Sequence, residues 1–170
     1  MVVRVLQSYF GDRMKYSERY KRPVRPEHNV VKTHDFKLNE SWKGHNKIVL
    51  IRHPEESIVS FWKLFFPKGN EDDWKRFSLE KLRYWEGFVK KWKMSKAPIF
   101  IYRRILSYPI PSFASIVETI SRERVNMEKL REAIKKEAIR PLPNAHRGFE
   151  FMTDVFRMKA EEAALKYLNG

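Results

Sequence analysis

The sequence predicts an α/β domain, a parallel sheet flanked by helices. Three observations lead there. Short β-rich runs recur at 30–33 (VVKT), 47–51 (KIVLI) and 98–102 (PIFIY), and longer stretches with helical spacing separate them. The run 47–51 is apolar without alternation, which suits a strand buried on both faces, as in parallel sheets. Finally, the 170 residues show no internal repeat, so a single domain over 1–170 is expected. Three strands are few for a doubly wound sheet, and the sheet is expected to be incomplete at one end.

The elements follow in order. Segment 2–10 places Val2, Val5, Leu6, Tyr9 and Phe10 at helical spacing. Segment 11–29 is basic, contains Pro23 and Pro26, and reads as a loop. After the strand 47–51, a helix starts at Pro54, with Glu55 and Glu56 favourable to its dipole. Ile58, Val59, Phe61, Trp62 and Phe65 form its apolar stripe, and Pro67 and Gly69 end it. A second helix starts near Asp72 or Ser78 and runs to Met94, with Leu79, Leu82, Trp85, Phe88, Val89 and Trp92 on one face. Pro109 and Pro111 break the chain before helices over 112–121 and 127–138, the latter capped by Asn126. Segment 140–150 is a Pro-containing loop, and a last helix covers 154–168, closed by Asn169 and Gly170.

Composition bounds the function. There are 35 Lys and Arg against 21 Asp and Glu, a net charge of +14, which predicts an anionic partner without naming it. Cys is absent, which excludes disulfides, thiolate metal sites and Cys nucleophiles. His28, His45, His53 and His146 lack the spacing of a metal site. No apolar run approaches membrane-spanning length, and the first residues do not read as a signal peptide, so a cytoplasmic protein is expected.

In open α/β sheets, ligands bind beyond the carboxyl ends of the strands. Lys32 and His34 close the first run, and as alternate residues of a strand they would share a side. Lys32 could stabilise a developing anion, and a neutral His34 could take a proton from an alcohol. The plainer reading is a surface Lys beside a surface His. Arg52 closes the second run and could fork onto a phosphate, with Ser60 eight residues on in the helix. Its plainer reading is an Arg52 paired with Glu55 or Glu56 and a buried helical Ser60. Tyr102, Arg103 and Arg104 close the third run.

In this order the segments resemble the sulfotransferase superfamily. The similarity rests on Lys32-Thr33-His34, the run 51–65 (IRHPEESIVSFWKLF) with Arg52, Pro54 and Ser60, then Tyr102, then Arg147-Gly148, and it spans residue 30 onward. The resemblance implies a P-loop-type fold and transfer of a sulfuryl group from 3′-phosphoadenosine 5′-phosphosulfate (PAPS) to a hydroxyl acceptor, leaving adenosine 3′,5′-bisphosphate (PAP). It implies that His34 is the general base and Lys32 a charge stabiliser. It further implies that Arg52, Ser60, Arg147 and Gly148 hold the 3′-phosphate and that Tyr102 sits near the adenine. Sulfuryl transfer, like phosphoryl transfer, needs positioning and charge neutralisation above all. Three features depart from the family. No Gly precedes Gly11, and no Lys-Ser-Gly-Thr-like loop for the 5′-phosphosulfate is present. Arg103-Arg104 replaces the usual acidic pair, and little of the C-terminal signature accompanies Arg147-Gly148. The fold is therefore expected to be N-terminally incomplete, starting just past that loop.

Two other functions compete. The basic stretch 13–25, with Tyr16 and Tyr20 interleaved, and the Lys/Arg-rich helix 75–96 could track a nucleic acid or another polyanion. No known nucleic-acid-binding signature accompanies them, which ranks nucleic acid below a nucleotide. The alternative is an inactive sulfotransferase fold that keeps its pocket. The basic surface favours an acidic carbohydrate over a neutral steroid as acceptor.

Overall fold

The computed structural model describes residues 1–18, 27, 29–32, 34, 35, 37–39, 46–137 and 149–168. It is a mixed α/β structure with two short parallel two-stranded sheets. The chain divides into two compact units, each built from two stretches: 1–47 with 106–140, and 48–105 with 141–170.

In the first unit, α1 (Val2–Phe10) buries Val2, Val5, Leu6 and Tyr9, the face that the 3.6-residue spacing predicts. Two helices accompany it: α5 (Pro109–Ser121) and α6 (Met127–Lys136). Phe113, Ile116, Val117 and Leu130 are each no more than 1% exposed and form the core of this unit. The Tyr9 hydroxyl accepts the Asn126 backbone N–H at 3.0 Å, and Ser8 Oγ donates to Glu137 Oε1 at 2.6 Å. The Asn126 carboxamide caps α6 by accepting the Lys129 N–H at 3.0 Å, as the sequence predicts. Pro109 and Pro111 do not break the chain. They begin α5, where a missing N–H leaves no intrahelical bond unmade.

Segment 11–29 is not wholly loop. A 3₁₀ turn (Gly11–Arg13) leads into β1 (Tyr16–Glu18), which pairs in parallel with β2 (Val30–Lys32). Nothing in Tyr-Ser-Glu alternates apolar with polar, so the strand is invisible locally and exists through its partner. Asn29 holds the entry to both strands. Its Oδ1 accepts the Lys15 N–H at 2.8 Å, and its Nδ2 donates to the Arg13 carbonyl at 2.6 Å.

In the second unit, β3 (Val49–Ile51) pairs in parallel with β4 (Ile99–Ile101), Ile51 opposite Ile101. The expectation of a strand buried on both faces fails here. Val49 and Ile51 are buried, but Leu50, on the opposite face, is 39% exposed, so only one face of β3 is covered. The chain then forms α2 (Pro54–Phe65), α3 (Glu71–Met94), the short α4 (Tyr102–Ser107) that leaves the unit, and α7 (Asp154–Leu168). Helices α2, α3 and α7 pack on one another around Trp74, which no solvent reaches. Trp62, Phe149 and Phe156 meet its ring edge-on at centroid distances of 5.5, 4.7 and 5.2 Å.

The connection from α2 to α3 is fixed by Gly69. Its Cα lies against the Trp62 indole, and a Cβ there would overlap the ring. Asn70 then caps α3, accepting the Asp73 N–H at 2.9 Å. Gly69→Ala should cost about 1–3 kcal/mol by overpacking and lower the Tm by roughly 3 °C or more. An unchanged Tm in a thermal melt would contradict this close packing.

Candidate functional site

The candidate site of the second unit starts from the parallel register. Because Ile51 pairs with Ile101, both strands end at the same edge, and the next residues are Arg52 and Tyr102. The Arg52 guanidinium carbon sits 5.4 Å from the Tyr102 ring centroid, within cation–π range. Burial pushes the Tyr102 phenol up from its ordinary pKa, against a smaller opposing pull from Arg52, so the hydroxyl stays protonated.

Arg52 is held by its backbone and left open at its side chain. The Trp85 indole N–H donates to the Arg52 carbonyl at 3.0 Å. Arg52 Nε is buried and has no hydrogen-bond partner among the described residues. It does not pair with Glu56. That carboxylate, 13% exposed, instead accepts Arg103 Nε on Oε1 at 2.9 Å, and its buried Oε2 has no partner among the described residues. One edge of the unit thus carries an unfilled donor and an unfilled acceptor, an arrangement that native proteins seldom leave without a ligand or water. Ser60 lies half-buried in the second turn of α2 and makes no hydrogen bond to Arg52.

His53, between Arg52 and α2, is buried, with its side chain 7% exposed. Its Nε2 lies 3.3 Å from Glu161 Oε2, and its Nδ1 has no partner. Desolvation first, then the Arg103 charge, lowers its pKa, against Glu161, Glu56 and Glu55. The lowered pKa makes the ring neutral near pH 7.

In the first unit, Lys32 ends β2 directly opposite Glu18 of β1, and Lys32 Nζ meets Glu18 Oε1 at 3.1 Å. The Tyr16 hydroxyl donates to the same oxygen at 2.9 Å. Because β2 ends at Lys32, strand alternation does not extend to His34. The left-handed backbone of Asp35, with φ 47°, turns the chain there. His34 is exposed, yet desolvation and then the Lys32 ammonium lower its pKa, with Glu18 opposing. A neutral imidazole is what a proton acceptor requires.

Arg147 and Gly148 lie outside the described residues. Among the described residues there is no cluster of His, Asp and Glu suited to a metal ion. The basic helix α3 spends much of its charge internally: Lys75 pairs with Glu71 and Asp72, Arg76 with Asp73, and Lys81 with Glu80. Sequence reasoning did not find the roles of Trp85 and Glu56. Trp85 fits the apolar stripe of α3, and nothing local marks its N–H as bound to a strand end. No protein-family model, curated protein or solved structure matches the chain.

The folded His53 pKa lies below its unfolded value, so the unfolded chain binds the extra proton. Stability is then full above about pH 6.5 and falls as pH drops through 6.5 toward the lower folded value. In thermal melts from pH 7.5 to 5, His53→Gln should show a shallower loss of Tm than the wild type. Superimposable pH profiles would contradict the assignment.

Proposed function

We propose that the chain is a sulfotransferase-like protein that binds a nucleotide bearing a 3′-phosphate and moves a sulfuryl group from PAPS to a hydroxyl acceptor. The observation that supports this most is the buried, unfilled Nε–H of Arg52 at the end of β3, with its guanidinium over the Tyr102 ring. A phosphate oxygen would fill that donor, and the ring would offer its face to a purine. The reading carries with it the P-loop-type sulfotransferase fold, with PAP as the product.

The roles are assigned motif by motif. Arg52 and Ser60 bind the 3′-phosphate, and Arg147 and Gly148 close over it. Tyr102 packs near the adenine. His34 takes the proton from the acceptor hydroxyl as that oxygen forms its bond to sulfur. The bond from sulfur to the 5′-phosphate oxygen breaks, and the bisphosphate leaves with its electron pair. Lys32 stabilises the charge of the transferring group. Its ammonium already meets Glu18 Oε1 at 3.1 Å, so acceptor or donor oxygens would have to share it. The net charge of +14 favours an acidic acceptor such as a carbohydrate.

Millimolar PAP should raise the Tm of the wild-type protein, because a ligand at 100-fold its Kd adds about 2.7 kcal/mol of stability. Arg52→Ala should abolish the shift, and His34→Ala should keep it, since the base does not hold the phosphate. No shift in the wild type, or a full shift in Arg52→Ala, would contradict the reading.

A further inference from the structure

The tip between α2 and α3 exposes every residue from 63 to 68. Leu64, Phe65 and Phe66 are 71%, 58% and 42% exposed, although an amphipathic helix with Ile58, Val59 and Trp62 buried has no need of three adjacent apolar residues in water. The tip is rigid. Phe66 N–H donates to the Trp62 carbonyl at 2.8 Å, and Gly69 N–H donates to the Phe66 carbonyl at 3.1 Å. The Phe66 ring stacks on Trp62 at 4.9 Å, and Phe65 lies 4.4 Å from Phe61. Leu64 thus stands outward, and Phe65 and Phe66 keep an outer face in water while their inner faces pack on Phe61 and Trp62.

Charge brackets the knob. Lys63 precedes it and Lys68 follows it, both exposed. The acidic residues beyond are offset in part, Glu71 and Asp72 sharing Lys75 and Asp73 pairing with Arg76, so that residues 63–76 hold four basic and three acidic side chains. We infer that this unit docks on an anionic lipid bilayer, with Leu64, Phe65 and Phe66 entering the headgroup boundary and Lys68 facing lipid phosphates. Three side chains on a protruding tip are too few for a stable protein interface, which buries about 1,200–2,000 Å². They suit interfacial insertion, where a small apolar area adds to electrostatic attraction. The contact lies on the surface, because no described helix is long and apolar enough to cross a membrane. The inference is independent of the nucleotide proposal.

Sedimentation with phosphatidylcholine vesicles, with and without phosphatidylserine, tests it. Wild-type protein should partition onto the phosphatidylserine vesicles. Leu64→Ser/Phe65→Ser keeps the net charge and should lower the partition coefficient by about tenfold or more with little change in Tm. Leu64→Ser alone, at the most exposed position, and Lys68→Glu should each lower it by roughly fivefold. Equal partition of wild type and the double variant would overturn the inference, since basic surface elsewhere would then account for binding. Failure of the wild type to bind would also overturn it. So would self-association, seen in sedimentation velocity and lost in the double variant, without vesicle binding.

Discussion

The hydrogen bond from the Trp85 indole to the Arg52 carbonyl, 3.0 Å long, sets the geometry on which the candidate site depends. It joins α3, the longest helix, to the point where β3 ends and α2 begins. Without it, the peptide after Ile51 would have a free carbonyl and a choice of directions. With it, Arg52 leaves the strand in one orientation, and its side chain lies over Tyr102 from the neighbouring parallel strand. The Glu56–Arg103 pair ties the residues that follow on each chain and so reinforces the same edge. That pair also takes up the partner that the sequence neighbours of Arg52 suggest. Glu56 is engaged by Arg103, which leaves Arg52 Nε buried and open.

The first unit follows a similar logic with a different outcome. There too a parallel pair ends in a cation, but Lys32 faces Glu18 across the register and is neutralised by it. What remains is a His34 kept neutral by desolvation and by the nearby ammonium. One strand end thus offers a half-buried cation whose buried Nε has no hydrogen-bond partner among the described residues, suited to holding an anion. The other offers an uncharged imidazole, suited to accepting a proton. The assignment of separate binding and catalytic roles rests on that contrast.

The longer helices were legible in the sequence because each carries its evidence along its own length, whereas the short α4 (Tyr102–Ser107), where a strand end was expected, was not. Ile58, Val59 and Trp62 declare the buried face of α2, and Asn126 declares the start of α6. Strand ends were legible at Arg52 and Tyr102 for the same reason, as each follows an apolar run. β1 was not, since its only buried residue is Ser17 and its existence depends on Val30 and Val31 far along the chain. Leu50 reads as core in sequence and lies 39% exposed, because run composition does not reveal whether both faces of a sheet are covered. Within the site, residue types were legible and partners were not. The distances that matter, Glu56 to Arg103 and Trp85 to Arg52, connect segments that only the fold brings together.

The central claim is that the β3 edge recognises a 3′-phosphate through Arg52. Calorimetric titration of the wild-type protein with PAP and with adenosine 5′-monophosphate tests it most directly, because the two ligands differ at that one group. A charge-assisted hydrogen bond to a buried donor predicts that the bisphosphate binds at least about tenfold more tightly. Equal affinity for the two nucleotides would contradict the account.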